Sequence, residues 1–247
     1  MKTPKRPRLI TKPQRFGAAW YRGDHYREKQ PYLTLAAHAR EHNEFREVID
    51  SALTYAAPNS RKTSVLEIGP GDAPIAENIS FRERIYIDQA QGLLNEIKTR
   101  REKYETARER VTGIKRVRPR VYVQGKLEQL PIRSRVGTII MNEVLTHIKP
   151  NERLRVIQRL VPQTDGFVIV DRPQLPIEKL REIHRAIAGR GTFEHELRKL
   201  QATYVRFKPI IAYIRNSGFD TQVSLVSIDE TQYVVFAARR KKPLQEK

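Results

Sequence analysis

From Ser64 onward the chain alternates short apolar runs with longer amphipathic stretches. The runs predict strands at Ser64 to Ile68, Arg84 to Ile87, Arg120 to Gln124, Val136 to Met141 and Gly166 to Val170. Between them, Ala73 to Ile79, Leu93 to Val111 and Glu152 to Leu160 read as helices. Apolar strands alternating with helices indicate a mostly parallel sheet covered on both faces. After Val170 the pattern changes. Ile177 to about Leu200 and Pro209 to Asn216 read as helices, and Thr221 to Ser227 and Gln232 to Ala238 as period-two strands. The intervening Ile228 to Thr231 suits a hairpin loop, so an antiparallel hairpin closes the sheet.

Upstream, residues 24 to 57 place Leu33, Ala37, Phe45, Val48, Ile49, Ala52 and Leu53 at mixed i+3 and i+4 spacing. One or two amphipathic helices stopping near Pro58 are expected. Residues 1 to 15 alternate Pro with Lys and Arg, which removes helical donors and exposes charge, as in a flexible arm. A length of 247 residues suits one domain with appendages. The expected division is a basic arm and lid helices over 1–57, the α/β domain over 58–240 with a basic helical insert at about 95–119, and a basic tail over 241–247.

Composition narrows the chemistry. There is no cysteine, which excludes disulfides, thiolate metal sites and cysteine nucleophiles, and no metal site is expected. No stretch of about 18 apolar residues exists to span a bilayer, so a soluble protein without a membrane partner is expected. The N-terminus lacks the apolar core of a signal peptide, and its prolines oppose the helix of a mitochondrial presequence; a cytoplasmic location follows as the expectation.

The net charge of +19 is unevenly distributed. Residues 1–15, 98–120 and 239–247 together hold +17 in 47 residues, leaving +2 for the other 200. Basic segments have been added to a near-neutral core, which points to a polyanionic partner, RNA or a ribonucleoprotein, met by the Lys and Arg of those three segments. Within the insert, Arg100, Arg101, Arg108, Lys115, Arg116 and Arg118 are the expected phosphate contacts. A Lys/Arg/Glu-rich helix is commonly a solvated face, but ten basic against three acidic residues in 98–120 is too lopsided for simple i to i+4 pairing.

The most specific local signal is Val65-Leu66-Glu67-Ile68-Gly69-Pro70-Gly71-Asp72-Ala73-Pro74, an apolar strand running into a glycine turn and a helix. Glycine permits the tight turn and the close approach of backbone to ligand. The next strand ends in Asp88, 17 residues past Gly71, where a carboxylate can accept hydrogen bonds from both hydroxyls of an adenosine ribose. A dinucleotide reading lacks its third glycine, since Pro74 stands there, and Asp72 would set a carboxylate against the pyrophosphate. A sulfonium cofactor without phosphate tolerates acidic neighbours better.

On these residues the chain resembles the class I S-adenosylmethionine-dependent methyltransferases, particularly the branch with a Glu-x-Gly-x-Gly loop and a Glu-Val-Leu-x-His-Ile segment. The resemblance runs from Val65 to the C-terminal hairpin. It implies an α/β three-layer sandwich around a mostly parallel, seven-stranded Rossmann-like sheet, and S-adenosylmethionine as cofactor. It makes Gly69, Pro70 and Gly71 the cofactor loop, Glu67 its supporting acid and Asp88, with Gln89 beside it, the ribose ligand. Gln124 to Pro131 aligns with the Gly-Asp-x-x-x-Leu-Pro segment after the third strand, bringing Lys126 and Leu127 to the cofactor. Met141-Asn142-Glu143-Val144-Leu145-Thr146-His147-Ile148 aligns with the fourth-strand exit, and Val168 to Asp171 with the fifth strand. The chain departs from the pattern at Lys126, a donor where an acid usually meets the adenine amino group, and at Ala73, where the family has a third glycine.

Methyl transfer is an in-line displacement that mainly requires the acceptor to be held about 3 Å from the methyl carbon. If the acceptor carries a proton, Glu143 and His147 are the candidate bases; a histidine at this place also commonly packs or caps. The Asn/Asp-Pro-Pro-Tyr/Phe loop of exocyclic amino methylation is absent after the fourth strand, and carbon-5 pyrimidine methylation through a cysteine adduct is impossible here. Upstream, Arg15 to Arg27 interleaves aromatic and basic residues. Either bases stack on Trp20, Tyr21 or Tyr26 while arginines meet phosphates, or the segment is a lid helix over the cofactor. The leading reading is a methyltransferase acting on RNA or an RNA-containing particle. The rivals are a small-molecule methyltransferase and a methyltransferase-like RNA-binding or ribosome-assembly factor without turnover, the last kept open by Lys126.

Overall fold

Helix α1 (Asn43–Ala56) lies against one face of the sheet with Phe45, Ile49 and Leu53 fully buried. The computed structural model describes residues 43–71, 74–113, 119–125, 135–176, 178, 201, 204–228 and 231–241. The arm, the upstream helix, the Trp20/Tyr21/Tyr26 segment, Asp72 and Ala73, Lys115, Arg116 and Arg118, Lys126 and Leu127, most of the expected 177–200 helix and residues 242–247 lie outside them.

Strands β1 (Ser64–Ile68) and β2 (Glu83–Asp88) are followed by helix α2 (Gln91–Thr112), β3 (Arg120–Gln124) and β4 (Val136–Asn142). Helix α3 (Arg153–Leu160), β5 (Thr164–Asp171), helix α4 (Phe207–Asn216), β6 (Phe219–Ile228) and β7 (Thr231–Arg240) complete the described elements. All seven strands form one sheet in the order β3-β2-β1-β4-β5-β7-β6. The first five are mutually parallel, whereas β7 runs antiparallel to both β5 and β6. The strands read from sequence are all present, two with the expected bounds and the other five one to three residues longer. β1 sits mid-sheet and is buried along its whole length, which is why it reads as a nearly unbroken apolar run.

The core has two halves. Phe167, Ile169 and Phe236 pack under α3 and α4 with Ile157, Leu160, Ile210 and Ile214, while Val168, Val170 and Val235 pack under α1. A Cβ on Gly166 would lie 2.2 Å from the Ala56 carbonyl oxygen, so only glycine lets the end of α1 touch the start of β5. At its other end Phe45 meets Tyr233, with ring centroids 5.5 Å apart, beside the finish of β5. The N-terminal end of α1 therefore lies at the edge formed by the carboxyl ends of the parallel strands.

One expected element is different. The Ala73 to Ile79 helix is replaced, among the described residues, by a single 3-10 turn at Ile75–Glu77. Arg84 supplies the reason. Its guanidinium donates to the carbonyls of Ala76 (3.1 Å) and Ile79 (2.8 Å), the first of which a continuing helix would offer to a backbone amide four residues on. Among the described residues no helix is long and apolar enough to cross a membrane.

Candidate functional site

Register gathers the conspicuous residues on one edge. Ile68 is abreast of both Ile87 and Met141, Asp88 of Gln124, and Asn142 of Val170. Gly69, Asp88, Gly125, Asn142 and Asp171 thus emerge together at the carboxyl ends of the strands. The strand order reverses between β1 and β4, and in open α/β sheets the crevice at such a reversal is where ligands bind.

Glu67 is completely buried, yet its two oxygens accept from the amides of Ile75 (2.8 Å) and Ala76 (2.9 Å). Burial pushes its carboxyl up to about 8, with those two amides pulling the other way. Glu67 therefore braces the glycine turn from beneath and has no surface to offer a ligand. Gly69 (φ +62°) and Gly71 (φ +59°) are both left-handed, and the Gly69 amide donates to the Ile87 carbonyl at 2.8 Å. Between them Pro70 is buried. The two glycines differ in surroundings: a Cβ on Gly69 would lie 2.6 Å from Val144 Cγ2, whereas a Cβ on Gly71 would meet nothing within 4 Å. Gly69→Ala is accordingly expected to lose about 1–3 kcal/mol of stability through left-handed strain and overpacking. Gly71→Ala should lose only the smaller, left-handed part while placing a methyl group in the open volume, so its larger deficit should appear in ligand affinity. Urea denaturation and calorimetry of the two variants distinguish these effects.

Asp88 closes β2 with little exposure. Burial pushes its carboxyl up to about 6, against the opposing pull of the Ala90, Gln89 and Gly71 amides. The bond from Ala90 is 2.8 Å. Gln89 follows, half-buried, its carbonyl accepting from Gln124 Nε2 at 3.1 Å, and the Gly125 amide donates to the Asp88 carbonyl at 2.9 Å. Across the turn, Asn142 Oδ1 is buried with no hydrogen-bond partner among the described residues. A buried acceptor left open in this way is uncommon and marks a place for a donor.

The fourth-strand exit is a tight turn. Glu143 is the only described non-glycine residue with positive φ (+50°), and its amide donates to the Val170 carbonyl at 2.8 Å. Its carboxylate is held 3.2 Å from Arg172 Nε. His147 ends a 3-10 turn, Leu145–His147, and is exposed. Surrounding protein, then the charges of Arg172 and Arg153, hold its imidazole below the ordinary histidine value, so it is neutral at pH 7. Asp171 and Arg172 were not singled out from sequence beyond the strand that they close. The available signal was a carboxylate ending a buried apolar run, as Asp88 does on β2.

The basic insert has two sides. Helix α2 is 22 residues, about 33 Å long, ending at left-handed Gly113; its buried residues, Leu93, Leu94 and Ile97, all lie in its first two turns. Beyond them Arg101 reaches inward to Glu77 (3.0 Å), which also meets Arg120 (3.1 Å), Arg84 (3.6 Å) and the Tyr86 hydroxyl (2.5 Å). Arg120 also pairs with Glu105. Arg101 and Arg120 are therefore bound up with the sheet, whereas Lys98, Arg100, Lys103, Arg108 and Arg110 are exposed. The start of the basic C-terminal segment is likewise partly internal: Arg240 lies over the Phe219 ring (4.5 Å) and donates to the carbonyls of Val161 and Thr164.

In comparison with solved structures, this chain is similar to magnesium protoporphyrin IX methyltransferase from Synechocystis PCC 6803 with bound S-adenosylhomocysteine. The TM-score is 0.59 at 17% identity, covering 91% of this chain and 98% of that one. The fold is that of the class I methyltransferases. The N-methyltransferase NodS from Bradyrhizobium japonicum WM9, in complex with S-adenosylhomocysteine, also matches this class I fold, with a TM-score of 0.57 at 11% identity, covering 83% of this chain and 91% of that one. No family model and no curated protein matches the sequence. The class I fold also accounts for the antiparallel β7 between β5 and β6, which the all-parallel dinucleotide-binding order 3-2-1-4-5-6 does not contain.

Proposed function

We propose that this protein is an S-adenosylmethionine-dependent methyltransferase whose acceptor is RNA or an RNA-containing particle. The observation that carries the cofactor assignment is the edge where Gly69 and Gly71 turn beside Asp88, with open space at Gly71 and an unfilled acceptor at Asn142. These residues fit the cofactor's chemistry. Asp88 would accept from the ribose hydroxyls, Asn142 Oδ1 from a cationic donor of the methionine part, and the glycine turn would lie against the methionine portion. The bound cofactor would supply an electrophilic methyl group. The chain's own residues then orient the acceptor: Glu143 and Arg172 set opposite charges beside the β4 exit, and neutral His147 can take a proton from a hydroxyl or ring nitrogen.

RNA as acceptor is supported by the concentration of +17 in 47 residues and by the exposed cations on the outer turns of α2. Location in the cytoplasm remains part of this proposal.

Calorimetry with S-adenosylhomocysteine tests the cofactor half, and absence of binding overturns it. For the acceptor half, Arg100, Lys103, Arg108 and Arg110 are replaced together by Gln, leaving Arg101 and Arg120 in place. If all four meet phosphates, the slope of log affinity for single-stranded RNA against log salt should fall in magnitude by about 3. Binding should weaken alike across sequences, with little change in melting temperature. An unchanged slope would put a small-molecule acceptor first. Lys126 favours a second reading, an RNA-binding factor without turnover; RNA binding without cofactor binding would select it.

A further inference from the structure

We propose that Asp171 is a positioning residue of the reaction, holding the β4-exit turn that carries Glu143 and His147 in its working shape. This rests on the methyltransferase reading for its kinetic consequence, though not for the contact itself. Asp171 is fully buried at the end of β5. Its Oδ2 accepts from the amides of Leu145 (2.8 Å) and Thr146 (3.3 Å), and its Oδ1 from the amide of Arg172 (2.9 Å). Leu145 and Thr146 open a 3-10 turn, and the first amides of any helical turn have no partner within it. Leu145 is itself buried, so its donor would stay unsatisfied without the carboxylate.

The arrangement repeats what Glu67 does at the other turn of the site. Each is a completely buried acid on a parallel strand that accepts from two backbone amides of a short 3-10 turn, Glu67 with one oxygen for each amide and Asp171 with Oδ2 for both, its Oδ1 taking the amide of neighbouring Arg172. Glu67 braces the side assigned to the cofactor; Asp171 braces the side assigned to the acceptor. Local hydrogen bonds also close the second turn on itself. Thr146 Oγ1 donates to the Glu143 carbonyl (3.1 Å), and the His147 amide to the Val144 carbonyl (3.0 Å). Asp171 and the Glu143 amide thus attach this turn to β5, and they do so on either side of left-handed Glu143.

A carboxylate this deeply buried has a cost. Burial and the nearby Glu143 push it up to about 7, while the amides of Arg172 and Thr146 and the Arg172 charge pull it back; Arg153 faces it as a second cation. An asparagine would keep one acceptor oxygen for Leu145 and Thr146 but present its amide group to the Arg172 donor. An alanine would leave all three amides bare. The graded series Asp171, Asp171→Asn, Asp171→Ala therefore reads the contact directly.

Amide hydrogen exchange at Leu145 and Thr146 should accelerate at least tenfold in Asp171→Ala and less in Asp171→Asn, while Val65 and Leu66 in β1 exchange as in the parent. The NMR titration midpoint of His147, assigned with a His147→Gln variant, should rise toward the ordinary histidine value in Asp171→Ala, because the ring leaves the surrounding protein that disfavours its charge and, with it, the neighbourhood of Arg172 and Arg153. Affinity for S-adenosylhomocysteine should stay within threefold of the parent's, and radiolabelled methyl transfer to total cellular RNA should fall in the order parent, Asn, Ala. Unchanged exchange at Leu145 and Thr146 would overturn the proposal. So would a loss of protection shared by β1, with transfer falling only as far as the folded fraction. If the parent bound no S-adenosylhomocysteine, the methyltransferase reading would fall while the exchange and His147 data still decided whether Asp171 holds the turn.

Discussion

Glu77→Ala is expected to destabilise the protein by about 3–5 kcal/mol, because it strips the shared counter-ion from buried cations. Glu77 is 8% exposed and stands between Arg84, Arg101 and Arg120, with Arg84 itself 5% exposed. Removing Glu77 also takes away the partner of the Tyr86 hydroxyl, a group whose ionisation burial opposes strongly. Urea denaturation measures the loss, and Glu77→Gln, which keeps an acceptor for Tyr86, should fall between alanine and the parent. The same hub predicts acid sensitivity. Burial acts to raise the Glu77 carboxyl, but the Arg120 hydrogen bond and the Arg84 charge overcome it, so the net shift is downward. A carboxyl depressed in the folded state contributes stability above its unfolded value near 4.5, and that contribution is lost as pH falls through the lower folded value. Stability of the parent should therefore drop below pH 4.5 more steeply than that of Glu77→Gln.

Asp88→Ala is expected to weaken S-adenosylmethionine binding at least tenfold, the loss of about 1.5–3 kcal/mol that accompanies a missing charge-assisted hydrogen bond. Asp72→Ala serves as the comparison and should change affinity far less. Binding should also depend on pH in a definite direction. The Asp88 carboxyl, raised to about 6 in the free protein, must be ionised to accept from two hydroxyls. Affinity should be level above pH 7 and decline as pH falls through about 6. Calorimetry of both variants across pH 5 to 8 checks this; equal affinities for Asp88→Ala and the parent would remove Asp88 from the site.

Much of this architecture is legible one residue at a time. Parallel strands buried on both faces must be apolar nearly throughout, so β1, β4 and β5 stand out in the sequence as they do in the sheet. The Gly69-Pro70-Gly71 turn and Asp88 are legible too, because left-handed backbone favours glycine and because an acid closing an apolar run is conspicuous. The helix from Leu93 to Val111 is legible as well, and the structure places it within α2. Each of these features depends on a residue and its near neighbours in the chain.

What tertiary structure decided is which distant groups meet. Arg101 and Arg120 look in sequence like two more cations of a basic insert; only the fold turns them inward to Glu77. Arg84 reads as an ordinary strand-edge residue, yet by taking the carbonyls of Ala76 and Ile79 it ends the turn after the glycine loop where local spacing predicts a helix. Asp171 reads as the end of a strand, and only the parallel pairing of β4 with β5 brings it beneath the amides of Leu145 and Thr146, some 26 residues earlier. The sequence by itself determined where backbone is buried and where it turns, because those depend on local periodicity and conformational preference. The partners of its buried charges were settled by strand order, since a counter-ion dozens of residues away leaves no mark on the spacing around it.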